Sequence, residues 1–135
     1  MRSTRSQAAG FAIVGVIGFA VDGGILTLLN SGFGIDLLRA RIASFSVAVT
    51  VTWILNRNRT FADRKDRRAA REWARYAVVN ALGALLNMVI FFWLVQHFEW
   101  ASSWPILPLA IAAGVALIFN FFASKHVAFW VPRSR

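Results

Sequence analysis

The sequence predicts an all-α membrane protein of four transmembrane helices, built as two parallel-repeated helical hairpins within a single domain, residues 1–135. Three observations predict it. Hydrophobic residues make up 58% of a 135-residue chain, more than one small soluble core can hide. Four segments, 8–30, 37–56, 76–96 and 104–124, meet or approach the about 20 apolar residues that a helix needs to cross a bilayer. Finally, the halves match each other. A shift of 65 lays Phe11, Val14, Gly15, Gly18 and Asp22 over Tyr76, Val79, Asn80, Gly83 and Asn87. A shift of 68 lays Thr52, Asn56, Arg57 and Phe61 over Asn120, Ser124, Lys125 and Phe129.

The first span follows Arg2 and Arg5, as a signal peptide would, but its 23 residues and the lack of a small-residue cleavage pattern make it a stable span. The stretch SGFGID supplies two glycines for a tight outer turn. The second span carries Arg39 and Arg41 near its outer end. Two roles fit them: stems that snorkel to the outer headgroups with Asp36 offsetting some charge, or an outward-facing phosphate contact.

That span closes with fourteen uncharged residues, IASFSVAVTVTWIL, and stops abruptly at NRNRTF. A basic inner loop, 57–75, follows, in which Ala, Arg and Glu favour a short interfacial helix over 66–75, running into the third span or bending at the surface. After the third span, HFEWASSW leads to Pro105, a residue suited to the first turn of the fourth helix. The fourth span ends on SKHVAF, a second version of NRNRTF.

The net charge is +9, yet the cations gather at span ends, which fits membrane orientation and argues against a nucleic-acid partner. Thirteen of the fifteen fall on one side, including Arg57, Arg59, Arg64, Lys65, Arg67, Arg68, Arg71, Arg75, Lys125, Arg133 and Arg135. The positive-inside rule puts that side, and both termini, in the cytoplasm. Each hairpin then starts inside, so a pseudo-two-fold axis along the membrane normal relates the repeats, and sites in such folds lie at the repeat interface.

Phe11, Gly15, Gly18 and Asp22 are spaced four, three and four, which places them on one face of the first helix. Small residues there allow close helix approach without any ligand. Asp22 needs more explanation. An ionised carboxylate at membrane depth must face protein, water or a cation, or hold a proton, and it marks a transport or ligand site or a structural hydrogen bond.

Asn80, Gly83 and Asn87 form the matching stripe on the third helix, Thr52, Asn56 and Arg59 one on the second, and Asn120 with Ser124 one on the fourth. Facing inward, they make a polar seam from Asp22 and Asn87 down to Arg57, Arg59 and Lys125; alternatively the amides glue helices together. Two answers to the abrupt stop at NRNRTF remain open. One is an interface device, with Trp53 and Phe61 in the aromatic belt. The other is recognition of a lipid phosphate by guanidinium and amide donors, with the following Phe packed on an acyl or isoprenoid tail.

FAIVGVIGFAVDGGI, ILNRNRTF and FNFFASKHVAF together resemble the GtrA family of four-helix bacterial inner-membrane proteins, over nearly the whole chain. The most specific phrase is Asn56, Arg57, Thr60 and Phe61; Lys125 and Phe129 are its weaker partner. Arg59 stands where the family usually has an aromatic, and Thr52 and Trp53 where it tends to have Asn-Phe, kept here as Asn120 and Phe121. The resemblance implies a role in cell-envelope polysaccharide synthesis, in which a polyprenyl-phosphate-linked sugar moves from the cytoplasmic to the outer leaflet for a glycosyltransferase.

Three roles follow: a lipid-linked sugar flippase; an accessory subunit that anchors a membrane glycosyltransferase through the basic inner loop; and a small proton-coupled cation exporter. Asp22, Thr52, Asn56, Arg57, Arg59, Asn80, Asn87, Asn120 and Lys125 are the expected substrate-binding residues. No nucleophile has a base partner, no carboxylates pair and no metal-ligand cluster occurs, so neither enzyme nor cofactor nor metal site is expected. Cysteine is absent. A bundle of four thin helices is expected to form a homo-oligomer.

Overall fold

A computed structural model describes residues 3–64, 66, 68–104 and 106–130 of the protein. Arg2, Lys65, Arg67, Arg133 and Arg135 of the orientation count, and Pro105, lie outside the described residues. Four long helical segments are apolar enough to span a membrane: Thr4–Gly32, Leu37–Thr60, Ala69–His97 and Ile106–Ala128.

Helix α1, Thr4–Thr27, starts where the Ser3 hydroxyl accepts the Ser6 N–H at 3.3 Å, and it closes in one π turn, Leu28–Gly32. Gly34 takes φ 66°, the left-handed conformation that turns the chain toward α2. Helix α2, Leu37–Leu55, is capped by Asp36, whose carboxylate accepts the Arg39 N–H at 3.1 Å and ion-pairs with its guanidinium at 3.1 Å. Helix α3, Ala69–His97, runs 29 residues, about 43 Å at 1.5 Å per residue, and so exceeds the hydrocarbon layer of about 30 Å. Its first turns are therefore the helical part of the inner loop, continuous with the span. A short α4, Glu99–Ser103, leads to α5, Ile106–Ala123.

NRNRTF and SKHVAF end their spans in the same way. Asn56–Thr60 and Ser124–Ala128 each form a π turn, closed by Phe61 N–H donating to Asn56 O at 2.7 Å and Phe129 N–H donating to Ser124 O at 2.8 Å. The wide turn swings each Phe back under the bundle. Phe61 and Phe129 are fully buried and stack on each other with centroids 4.7 Å apart. Neither sits in an aromatic belt or on a lipid tail, because the core captures both rings.

The repeat expected from the sequence is visible contact by contact. Phe11 meets Phe61 edge-on at 6.2 Å and 60°; the equivalent pair Tyr76 and Phe129 does so at 5.8 Å and 61°. Arg57 lies 5.5 Å over the Trp53 ring, and Lys125 lies 5.8 Å over the Phe121 ring. Gly18 touches Thr52, and Gly83 touches Asn120, so closely that a Cβ at either glycine would overlap the partner side chain. Because the ends of the second and fourth spans stack on one another, the two hairpins point the same way.

One aromatic cluster, built around Phe11, Phe61, Tyr76, Phe121 and Phe129, forms the core at the end carrying the basic loop. Away from it the helices meet through small residues such as Ala40, Ala48, Ala112 and Ala116, all buried. The outer faces are strongly apolar, with Phe19 81% exposed. Such surface is stable against lipid or another apolar protein face, and not in water.

Candidate functional site

Between α1, α2, α3 and α5 lies a cavity of about 210 Å³. Asp22, Thr52, Asn56, Asn80 and Asn120 line it together, with Tyr76 among them. Five of the nine expected residues thus converge on one space at the interface of the two repeats. The narrow shape follows from Gly18 and Gly83, whose missing side chains admit Thr52 and Asn120.

Among the described residues, the hydrogen bonds within this space are incomplete. Asn56 Nδ2 donates to the Tyr76 hydroxyl at 2.9 Å, but Asn56 Oδ1 is buried without a partner. Asn80 Nδ2 donates to its own helix at Tyr76 O, 2.9 Å away, and Thr52 Oγ1 to Ala48 O at 2.9 Å. Asn120 Oδ1 is also buried and without a partner. A buried acceptor left unpaired costs about 1–3 kcal/mol, so these amide oxygens favour any ligand that brings O–H donors.

At the other end of the cavity, Asp22 accepts from Ser44 Oγ at 2.7 Å and forms a short ion pair with Arg41. The cation that a carboxylate at this depth requires is therefore Arg41, one turn before Ser44 on α2, while Asp36 serves Arg39. Asn87, the repeat counterpart of Asp22, has no such setting, because Leu109 and Ala112 replace Arg41 and Ser44 in the second half.

Arg57, Arg59 and Lys125 stand at the π turns, away from the cavity wall. Arg57 forms an ion pair with the wholly buried Glu72 at 2.8 Å and donates to Asp66 O at 3.0 Å. Glu72 also accepts from Trp53 Nε1 at 2.9 Å and from Asp66 N at 2.8 Å. Asp66 in turn pairs with Arg75 at 2.8 Å. The backbone N–H of Arg68, 2.9 Å away, and then the Arg75 charge hold the Asp66 carboxyl below its ordinary range. Arg59 is exposed, whereas Lys125 is 8% exposed and donates to Thr4 Oγ1 at 3.0 Å.

Three participants escape the sequence reading, Ser44, Tyr76 and Glu72, and Arg41, read there as a headgroup or phosphate contact offset by Asp36, instead pairs with Asp22. Ser44 and Arg41 share a face of α2 at a spacing of three, which could have marked them as partners for Asp22. Glu72 had a clearer signal, since the shift of 65 lays it over Gln7, another polar residue that proves buried.

A sequence comparison places the chain among known families. The profile described as GtrA/DPMS, transmembrane domain, matches residues 10–129, which include the cavity and the π turns 56–60 and 124–128. Among curated proteins no significant match is found. The four apolar spans and this match make the chain a multi-pass membrane protein, and it belongs to the GtrA/DPMS transmembrane-domain family of membrane proteins in glycan synthesis.

Proposed function

We propose that the protein carries a polyprenyl-phosphate-linked sugar from the cytoplasmic to the outer leaflet of a bacterial inner membrane, for cell-envelope polysaccharide synthesis. The observation that carries this reading is the pair of buried, unpartnered amide oxygens, Asn56 Oδ1 and Asn120 Oδ1, at a laterally open cavity whose size is commensurate with one sugar ring. Sugar hydroxyls are the donors those oxygens lack. Asp22, held by Ser44 and Arg41, adds charged acceptors at the far end, where a carboxylate binds hydroxyls more strongly than an amide does.

No bond is made or broken in this scheme. The headgroup exchanges its water for cavity hydrogen bonds, the cations at the π turns attract the phosphate, and the chain stays in lipid. With the basic loop and both termini cytoplasmic, loading occurs at the cation-rich end. A second reading, a docking subunit for a glycosyltransferase, is supported by the Arg57, Glu72, Asp66 and Arg75 network, which ties Asp66 to the end of the second span and the start of α3.

Mass spectrometry of lipids retained by the purified protein tests the first reading. A polyprenyl-phosphate sugar on the wild type, absent from the Asn56→Ala/Asn120→Ala variant, is the expected result. Bulk phospholipid alone on both would favour the docking subunit.

A further inference from the structure

The two repeats differ at one place that bears on lipid entry. On the flank between α2 and α3, Trp73 reaches across and donates through Nε1 to Thr50 at 3.1 Å, and Trp53 donates to Glu72. The equivalent flank lies between α1 and α5. There the repeat puts Ala8 at the position of Trp73 and Ile118 at that of Thr50. The missing indole leaves an apolar groove of about 270 Å³, lined by both residues and by Phe121 and Phe122.

Charge breaks the symmetry at the same flank. Arg57 is neutralised by Glu72, but in the other half the repeat puts Gln7, a neutral residue, at the position of Glu72, and among the described residues the buried Gln7 Oε1 has no hydrogen-bond partner. Among the described residues no acid pairs with Lys125 or with Arg5, and Arg5 and the Lys125 partner Thr4 both line the groove. A third groove, beside α3 and α5, has a cation too, but that cation is Arg75, already paired with Asp66. Of these two grooves, the one between α1 and α5 joins an apolar trough to charge that no described acid neutralises. It also adjoins the polar cavity, because Phe11 and Leu117 line both.

We propose that the α1/α5 flank is the lateral entrance of the protein: the groove takes the prenyl chain, and Lys125 with Arg5 takes its phosphate. The sugar then enters the polar cavity past Phe11 and Leu117, while the α2/α3 flank stays shut behind Trp73. This rests on the reading above that the ligand is a prenyl-phosphate lipid. In place of two equal phosphate sites at the π turns that end the second and fourth spans, it assigns one, with Arg57 kept for the loop network.

The test is photo-labelling of the full chain in nanodiscs with a prenyl phosphate that carries a diazirine on its chain and no sugar. Label is expected on peptides holding residues 4–11 and 117–122. Lys125→Gln should cut it about tenfold, the loss of one charge-assisted contact. Ala8→Trp, which copies the residue already tolerated at position 73, should cut it comparably by filling the trough. Label around Trp53 and Trp73, label spread over all four spans, or equal label from a diazirine phosphatidylglycerol would overturn the proposal. Groove labelling without sugar translocation would leave the entrance standing and remove the flippase reading; translocation with an unlabelled groove would do the reverse.

Discussion

Arg57 and Glu72 form an ion pair at 2.8 Å in which the carboxylate is wholly buried and the Arg57 side chain is 18% exposed. The pair joins the end of the second span to the start of the third, and Trp53 and Asp66 use the remaining capacity of the carboxylate. Breaking a buried pair from one side leaves a charge without compensation, which costs about 3–5 kcal/mol. Arg57 retains some exposure, so Glu72→Gln should cost about 3 kcal/mol. Thermal unfolding in detergent checks it. Lys125→Gln, which strands no carboxylate, should leave the unfolding temperature nearly unchanged.

Gly83 and Asn120 make the second prediction. Gly83→Ala places a methyl group where the Asn120 amide sits, so the amide must leave its position on the cavity wall. Overpacking of this kind costs about 1–3 kcal/mol, and retention of the lipid-linked sugar should fall with it. Gly24→Ala, with open space around its Cβ, should be neutral or slightly stabilising. Unfolding and lipid retention, measured on both variants, separate the two positions.

Asp22 and Arg41 should behave as a unit. Asp22→Asn leaves Arg41 unpaired, and Arg41→Gln strands the carboxylate at membrane depth. The double variant should recover about 1 kcal/mol relative to the sum of the single changes. Strict additivity in the double-mutant cycle would show that the pair is not formed in the membrane.

The inner loop should respond to acid through Asp66. Its carboxyl titrates below the ordinary value of 3.8, so it adds stability that is fully present above that value and lost as pH falls through the lower, folded-state one. Hydrogen exchange of residues 66–75 should therefore stay protected from neutral pH down to about 4 and open below it. In Asp66→Asn the acid step should vanish.

Much of this was legible in the sequence. Span number, hairpin repeat and the convergence of Asp22, Thr52, Asn56, Asn80 and Asn120 follow from apolar length and helical spacing, which tertiary contacts leave unaltered. The π turns were not legible: NRNRTF reads equally well as an interface stop or a phosphate motif, and only the packing of Phe61 on Phe129 shows why the helix end widens. Charge partners were hidden for a related reason. Arg41 and Glu72 lie 19 and 15 positions from the Asp22 and Arg57 they serve, beyond the reach of local periodicity.

The most direct test is leaflet exchange in proteoliposomes loaded with a short prenyl-phosphate hexose, read by a periodate reagent that does not cross the bilayer. With wild-type protein, all of the sugar lipid should become oxidisable with time, whereas Asn56→Ala/Asn120→Ala vesicles should stop at the outer-leaflet share. Wild-type vesicles that also stop at that share, with protein folded and correctly inserted, would contradict translocation through the cavity.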